Sequence, residues 1–219
     1  MIEHQRGEMK WLPWAGVNLR RNPFGELSPE ERAELAVVDV EPILARLSEQ
    51  RVAVQFIGAC GRGKTTRMLA LLKHLPNASY TYLPEDAACP AIAMGDPILI
   101  DEAQRLPRYV RRRIWSSGIS LVLSTHRDLR RSLRRSGYRV TTMRIGNGNT
   151  PSHVCQLLNR RIDASRLHTG SVPSLTLRAA ECLVSRFGSD IRAMEHHLYE
   201  QLQKQVEQHG EVRSFDCVG

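Results

Sequence analysis

The sequence lacks any long hydrophobic run, although 42% of its 219 residues are hydrophobic. A membrane-spanning helix needs about 20 consecutive apolar residues, so we expect no such helix. The first residues are polar and carry charges of both signs, which predicts that they are not a signal peptide. The 25% of charged residues is ordinary for a globular protein, and we expect a cytoplasmic location.

Cysteine is also scarce, and the five cysteines include no pair with the spacing of metal ligands. Their odd number suits a reducing cytosol and argues against a disulfide framework. We therefore expect neither disulfide bonds nor a structural zinc site. The cysteines are Cys60, Cys89, Cys155, Cys182 and Cys217.

Lysine is rare as well, because only four of the 31 basic residues are lysine. The net charge of +8 is unevenly placed: residues 105–144 hold twelve arginines and a single acid, Asp128. This stretch therefore carries +11, and the rest of the chain sums to −3. Clustered arginine indicates phosphates nearby, those of a nucleotide, of a nucleic acid or of both.

Strands and helices alternate in the middle of the chain. Apolar runs at 52–57, 79–83, 98–100, 119–124 and 138–145 predict strands, and helical patterns separate several of them. This alternation predicts an α/β fold with a parallel sheet and crossover helices. The pattern changes after 147, where residues 151–165, 175–187 and 189–208 all have helical spacing. We thus predict a lead segment with two helices (1–50), a sheet core (51–147) and a helical domain with a tail (148–219).

A phosphate-binding loop follows the first predicted strand. The eight residues from Gly58 to Thr65 fit G-x-x-x-x-G-K-[ST] in full, between an apolar strand and a helix. Backbone N–H groups of such a loop wrap the β-phosphate, Lys64 bridges the β- and γ-phosphates, and Thr65 binds Mg²⁺. The sequence therefore predicts an ATP site with Mg²⁺. The predicted nucleotide-binding residues are Gly58, Ala59, Cys60, Gly61, Arg62, Gly63, Lys64, Thr65 and Thr66.

Two carboxylates, Asp101 and Glu102, end the apolar strand at 98–100. We predict that Asp101 serves the metal and that Glu102 polarises the attacking water. The next apolar strand ends in Ser124, Thr125 and His126. A polar side chain there can reach the γ-phosphate or orient the water, and we favour Thr125 and His126 over Ser124. The alternative for each is a polar strand end that caps the following helix.

These motifs together resemble the P-loop ATPases with a catalytic glutamate, and the helical segment resembles the lid of the AAA+ class. In that class a Gly-Asp-x-Arg sequence at the start of a lid helix supplies a nucleotide sensor. Residues 188–192 read Gly-Ser-Asp-Ile-Arg, so the resemblance implies that role for Arg192. A cation in the first turn of a helix also opposes the helix dipole, which favours anions there. The alternative is a surface arginine paired with Asp190 or Glu195.

A second part of the resemblance is the tetrapeptide Asn22-Pro23-Phe24-Gly25. It is similar to the segment that AAA+ ATPases of transposition and secretion systems place beside the adenine. The sequence departs from the AAA+ pattern in two respects. The interval between Lys64 and Asp101 is short, so the usual second crossover helix is reduced or missing. The predicted lid also has three helices rather than four.

An arginine stripe lies at 127–135, where five arginines fall on one helical face opposite Leu129 and Leu133. The resemblance implies that Arg134 or Arg135 reaches the γ-phosphate of a neighbouring subunit. The alternatives are binding of a nucleic-acid backbone, together with the arginines at 108–113, or a solvated basic face. Because no aromatic residue interleaves the stripe, we expect no base stacking on single strands.

The sequence as a whole predicts an AAA+-like ATPase that couples hydrolysis to its own assembly or to the remodelling of a partner, on nucleic acid or elsewhere. A homo-oligomer and a partner ATPase are both open. One alternative is an ATP-dependent adaptor or switch with little turnover. Another is a P-loop kinase, which Glu102 disfavours because a kinase must exclude the water that Glu102 would activate.

Overall fold

A computed structural model of the chain describes residues 14–146, 149–209 and 214–215. The chain forms two compact units, one of residues 27–148 and one of residues 149–219 together with 1–26. The sequence predicted residues 1–50 as one lead segment. In the structure this lead divides, because residues 27–50 belong to the unit with the sheet and the residues before them belong to the helical unit.

The sheet unit is built on five parallel strands in the order β2-β3-β4-β1-β5. Strands β1 and β4 are buried at every position, which suits continuous apolar runs in the middle of a parallel sheet. They pair in register, so that Ile57 lies opposite Thr125 where both strands end. The strands are β1 (Val52–Ile57), β2 (Ser79–Tyr82), β3 (Ile98–Asp101), β4 (Leu121–Thr125) and β5 (Arg139–Arg144).

Helices cover both faces of this sheet. One core joins the alternate β1 residues Val54 and Phe56 to Met68 of helix α3. The other joins Ala53 to Trp115 of α4 and Leu133 of α5. The structure thus confirms the predicted three-layer α/β fold. The helices of this unit are α1 (Pro29–Glu34), α2 (Glu41–Leu47), α3 (Lys64–Leu72), α4 (Arg108–Ser116) and α5 (Arg130–Arg135).

A capping box, which Ser28 and Glu31 predict from their spacing, opens α1. The Ser28 hydroxyl accepts from the Glu31 backbone N–H at 3.2 Å, and the Ser28 N–H donates to the Glu31 carboxylate at 2.9 Å. Helix α5, by contrast, begins at Arg130 and not at 127 as predicted. Local side chains cause this difference, since the Thr125 hydroxyl accepts from the Arg127 N–H at 3.0 Å and so holds that residue in a turn.

The helical unit contains α6 (Pro151–Ala164), α7 (Leu177–Phe187) and α8 (Ile191–His209). The hydroxyls of Thr150 and Thr176 cap the first two helices. The helical spacing from 189 onwards predicts Ser189 as the cap of α8, and this prediction was wrong, because Asp190 caps the helix by accepting from the Ala193 N–H at 3.1 Å. The expectation that strands stop after 147 was also wrong, because β6 (Ser174–Leu175) pairs with β7 (Ser214–Phe215).

The lead segment at 22–25 is fixed within the helical unit by Arg161, a buried residue of α6. Its guanidinium donates to the Pro23 carbonyl at 3.0 Å and to the Gly25 carbonyl at 2.6 Å, and it pairs with Glu195. Asn22 completes the turn, since its side-chain oxygen accepts from the Phe24 N–H at 3.1 Å. The sequence pattern gave no indication of the role of Arg161.

One cysteine departs from expectation. Cys182 is disulfide-bonded, whereas Cys60, Cys89 and Cys155 are free thiols. The sequence argument against disulfides therefore fails at Cys182, and cysteine usage no longer supports a reducing compartment. In the part of the chain that the structure describes, no helix is both long and apolar enough to cross a bilayer.

Candidate nucleotide-binding site

The candidate site lies at the edge of the sheet where β1, β4 and β3 end. Because these parallel neighbours run in one direction, their carboxyl ends meet there. The chain places the phosphate-loop sequence after β1, Asp101 and Glu102 at the end of β3, and residues 124–126 at the end of β4. Three segments that are distant in sequence thus converge on one edge.

The loop between β1 and α3 has the geometry that its glycines permit. Gly63, directly before α3, has φ of +84°, a conformation that residues with a Cβ rarely adopt. A Cβ at Gly58 would lie 2.6 Å from the Ile145 carbonyl oxygen, so the loop passes β5 too closely for any side chain. The N-terminal end of α3 therefore faces an accessible loop, the arrangement that binds phosphate.

The Lys64 side chain turns back over this loop. Lys64 is buried, and its ammonium donates to the carbonyls of Gly58 at 2.8 Å and Ala59 at 2.9 Å. These contacts hold the positive charge at the mouth of the loop rather than out in solvent. When a phosphate enters the loop, the Lys64 ammonium would donate to charged phosphate oxygens in place of the two neutral carbonyls. Hydrogen bonds to charged acceptors are stronger than those to neutral acceptors.

Asp101 connects the loop to the sheet. Its Oδ2 atom accepts from the Thr65 hydroxyl at 2.7 Å and from the Tyr80 hydroxyl at 3.1 Å. Its Oδ1 atom accepts from the Ser124 hydroxyl and, at 3.1 Å, from the Glu102 backbone N–H. A fully buried carboxylate is thereby supplied with donors on both oxygens, which offsets the cost of its burial.

Tyr80 and Ser124 were not predicted from the sequence as site residues. The pKa of Tyr80 is raised, first by burial and then by the charge of Asp101, so its hydroxyl stays protonated and donates. Ser124 is fully buried at the end of β4 and contacts Asp101, although Thr125 was preferred over it. Ser124 ends β4 and Tyr80 lies within β2, and both of these strands are neighbours of β3.

The donor set fits Mg²⁺ bound with a nucleotide. Thr65 and Asp101 present oxygen atoms 2.7 Å apart, and Mg²⁺ prefers oxygen ligands. Within the described residues, no group of three or more His, Cys, Asp or Glu side chains is arranged to hold a metal. Mg²⁺ needs no such cluster, since it commonly keeps waters and substrate phosphates among its ligands.

Glu102 adopts a left-handed conformation directly after β3, with φ of +62°. Such a conformation in a residue with a side chain costs on the order of 1 kcal/mol and is common at functional sites. Its carboxylate is nearly buried and accepts from the Gln104 side-chain amide at 2.5 Å. Arg105 lies farther from it, at 3.7 Å. The sequence pattern did not identify Gln104, which the structure makes the main partner of Glu102.

His126 joins the three segments at their meeting point. Its Nε2 atom lies 3.3 Å from the Glu102 carboxylate and 3.8 Å from the Cys60 sulfur of the loop. Its backbone N–H donates to the Gln104 side-chain oxygen at 3.2 Å. Gln104 therefore connects Glu102 and His126, and His126 stands between the loop and the candidate base.

Thr125 is placed differently from His126. It is fully buried, and its hydroxyl donates to the Arg127 carbonyl at 2.8 Å while accepting from the Arg127 N–H. That side chain serves the turn after β4, as expected of a polar strand end with a structural role. Of the three residues there, the structure brings Ser124 to Asp101 and His126 to Glu102.

Arg134, Arg135 and Arg192 are the three arginines that the sequence predicted as site residues. Arg134 and Arg135 are exposed at the end of α5, with no ion pair or side-chain hydrogen bond among the described residues. Arg192 lies in the first turn of α8, in the helical unit. Neither alternative partner of Arg192 holds it, because Asp190 caps α8 and Glu195 pairs with Arg161.

No protein-family model matches the chain, and no curated protein sequence matches it. Solved structures do match. The Holliday junction branch migration motor RuvB of Thermotoga maritima aligns with a TM-score of 0.53 and 21% identity, over 84% of this chain and 63% of that one. Two single-residue variants of it give TM-scores of 0.54 and 0.55 at 20% and 16% identity.

These likenesses concern the fold. The chain spans about three fifths of the length of the RuvB chains it matches, with 61% and 64% of the two variants covered. The matched parts reach 77% to 84% of this chain. The chain therefore has the fold of an AAA+ P-loop ATPase, of which RuvB is a solved example.

Proposed function

We propose that this protein binds ATP with Mg²⁺, hydrolyses it, and couples its nucleotide state to assembly or to the remodelling of a partner. The observation that carries the proposal is the 2.7 Å hydrogen bond between Thr65 and Asp101. It joins the end of the phosphate loop to the end of β3, two motifs that are 36 residues apart. The acidic pair alone would not distinguish a metal site from a solvated acidic turn, and its contact with the phosphate loop supports the metal site.

Each residue has a defined part in this proposal. Bound Mg-ATP supplies the γ-phosphoryl group that is transferred to water. The loop N–H groups and Lys64 hold the phosphates, and Lys64 exchanges the carbonyls of Gly58 and Ala59 for phosphate oxygens. Thr65 and Asp101 hold the metal. Glu102 orients the attacking water and takes its proton.

The partners of Glu102 also support the second candidate, an ATP-dependent switch with little turnover. A carboxylate that accepts from Gln104 at 2.5 Å has that oxygen engaged and is a poorer base. Hydrolysis then requires Glu102 to leave Gln104, which a partner or a neighbouring subunit would trigger. The kinase alternative stays disfavoured, because a kinase must exclude the water that Glu102 would activate.

We further propose that assembly and nucleic acid both involve the arginine-rich face of the sheet unit. Helix α5 is only six residues long and ends in Arg134 and Arg135, whose charges no described acid neutralises. In a self-assembled ring these are the candidates for contact with a neighbour's γ-phosphate. The matched RuvB structure is described as a branch migration motor, which supports a nucleic-acid partner.

We also propose that the protein is cytoplasmic and that Arg192 makes a sensing contact with the nucleotide.

Binding of Mg-ATP tests this proposal before turnover is measured. Lys64→Ala should abolish tight binding in calorimetry while leaving the fold intact, because it removes the cation that contacts the β- and γ-phosphates. The matched control is Lys73→Ala, an exposed lysine just after α3. A folded Lys64→Ala protein with the ATP affinity of the parent would show that the loop serves another purpose.

A further inference from the structure

Helix α4 presents an outward face that the nucleotide site does not use. Its inner residues Val110, Ile114 and Trp115 pack against the sheet. The exposed residues recur at helical spacing on the opposite side. This outer face consists of Arg108, Tyr109, Arg112, Arg113 and Ser116.

Tyr109 is the most exposed large aromatic residue of the described chain, with 77% of its surface accessible. Its place in the helix puts Arg112 and Arg113 three and four residues away, on the same side. No hydrogen bond, ring contact or ion pair engages the Tyr109 side chain within the residues described. An aromatic ring flanked by arginines and left open to solvent is the arrangement on which single-stranded bases stack.

The positive charge on this face is not paired with any acid among the described residues. Across 14–146 and 149–209, no ion pair neutralises Arg108, Arg112 or Arg113. Arg108 begins the helix, where a cation opposes the helix dipole, and Arg108 and Arg112 are like charges at i and i+4. The local sequence thus disfavours this helix unless an anion lies against it.

Helix α5 adds to the same surface. Leu133 of α5 and Trp115 of α4 lie in the core on the same face of the sheet. Arg131, Arg134 and Arg135 of α5 are exposed and likewise have no ion pair among the described residues. The face therefore offers phosphate contacts over two helices and an aromatic ring on one of them.

We propose that the outer face of α4 binds a single strand of nucleic acid, with a base stacked on Tyr109 and the flanking phosphates held by Arg112 and Arg113. This inference rests on the nucleic-acid partner proposed above and specifies that this partner is single-stranded. It differs from the expectation that no base stacks on the arginine stripe. The stripe at 127–135 holds no aromatic residue, but Tyr109 interrupts the arginines of α4.

The test measures binding by the fluorescence anisotropy of labelled oligothymidine, oligouridine and a duplex of equal length. The assay is run at low salt and without ATP. Tyr109→Ala should weaken binding of the single strands about five- to 150-fold, the worth of one stacked base. Duplex affinity should not change, because duplex bases are already stacked. Tyr109→Phe should bind like the parent, since it keeps the ring. The two oligonucleotides distinguish DNA from RNA as the source of the strand.

Charge is tested separately. Arg112→Gln with Arg113→Gln should lower the slope of log affinity against log salt by about 1.4 for single strands, two phosphate contacts at about 0.7 each. The control with equal charge loss is Arg46→Gln with Arg139→Gln, because Glu49 already pairs with both arginines. Tyr82→Ala is the control for an exposed tyrosine beside Arg105, which Glu85 neutralises.

Three outcomes would overturn the inference. Unchanged single-strand affinity in Tyr109→Ala, or an equal loss for duplex, would remove stacking and leave only a nucleic-acid partner bound through charge. Failure of the parent to bind any of the three probes would remove that partner as well. Because the assay contains no ATP, its result does not depend on ATP binding at the loop.

Discussion

Asp101 accepts hydrogen bonds from three side chains, those of Thr65, Tyr80 and Ser124. Each donor comes from a different element, so the position of the carboxylate depends on α3, on β2 and on β4 together. Burial of an ionised carboxylate is costly unless donors satisfy it. The position of the Asp101 carboxylate is therefore fixed by packing and by these hydrogen bonds.

Substitutions at Ser124 and Thr125 should separate metal binding from turn structure. Ser124→Ala leaves Asp101 Oδ1 with the Glu102 N–H alone, so the Mg²⁺ concentration needed for half-maximal ATPase activity should rise. Thr125→Val removes the turn contact with Arg127 and should lower stability by about 1 kcal/mol without moving that Mg²⁺ requirement. The measurements are Mg²⁺ titration and thermal unfolding. A larger Mg²⁺ shift in Thr125→Val than in Ser124→Ala would reverse the roles of the two hydroxyls.

The sequence suffices to locate the loop and Asp101, because a glycine-rich motif and an apolar strand ending in carboxylates are local patterns. It does not suffice for Ser124, Tyr80 or Gln104. The contact of Ser124 depends on the register that sets Leu123 opposite Ile100, and that of Tyr80 on the register that sets Tyr80 opposite Leu99. Gln104 bridges the ends of β3 and β4, and no local pattern reveals any of these long-range pairings. For the same reason, composition at the end of a strand could not decide between Thr125 and Ser124.

At the scale of elements, Gln55 is a buried polar residue in the middle of β1. Its amide nitrogen donates to Asp128 at 2.8 Å and to Thr142 at 2.7 Å, and its oxygen accepts from the Leu129 N–H at 3.0 Å. This residue ties the central strand to β5 and to the turn before α5. The orientation of α5 and its arginines therefore depends on Gln55.

Gln55→Leu should lower the free energy of unfolding by roughly 1–3 kcal/mol, since it leaves the buried Leu129 N–H without a partner.

The hydrogen bond from the Arg130 N–H and then that from Gln55 lower the pKa of Asp128. A carboxylate whose pKa is lowered by folding stabilises the folded protein at pH values above its unfolded pKa of about 4. This stabilisation is lost as the pH falls through the folded pKa. Urea unfolding from pH 7 to 3 should thus show less acid destabilisation in the variant than in the parent. Gln50→Leu, at an exposed position, is the control, and equal stability of the two variants would contradict the role of Gln55.

The strands were predictable because apolar runs of the right length carry the pattern along the chain. The start of α5 was not, since the helical spacing of the arginines continues back to Arg127 while Thr125 and Asp128 hold a turn. The cap of α8 was misplaced by one residue for a related reason. Ser189 and Asp190 are both good caps, and only the backbone shows that Asp190 accepts from the Ala193 N–H.

At the scale of the whole molecule, the two units raise the question of what the helical unit contributes. Its core is its own, with Leu158, Ala180 and Leu198 fully or almost fully buried. Arg161 and Glu195 hold the lead segment in it. Arg192 takes no part in that framework, and Asp190 already suits the start of α8. A nucleotide-sensing role would explain a cation placed there.

Arg192→Ala should lower ATP affinity or turnover about ten- to a hundredfold, the worth of one contact with a charged phosphate. ADP affinity should change little, because ADP lacks the group that is sensed. Titration of both nucleotides by calorimetry gives the comparison, with Arg186→Ala as a control on the same unit. Equal behaviour of Arg192→Ala and the parent with both nucleotides would assign the helical unit another purpose.

The central claim is that Glu102 activates water for the hydrolysis of ATP bound at the loop. Its most direct test is phosphate release from Mg-ATP by the parent and by Glu102→Gln, with ATP affinity measured alongside. The amide keeps the shape of the side chain but cannot take a proton. We expect unchanged ATP affinity and turnover lower by about 10²–10⁴-fold. Turnover equal to that of the parent would contradict the claim and make Glu102 a structural residue.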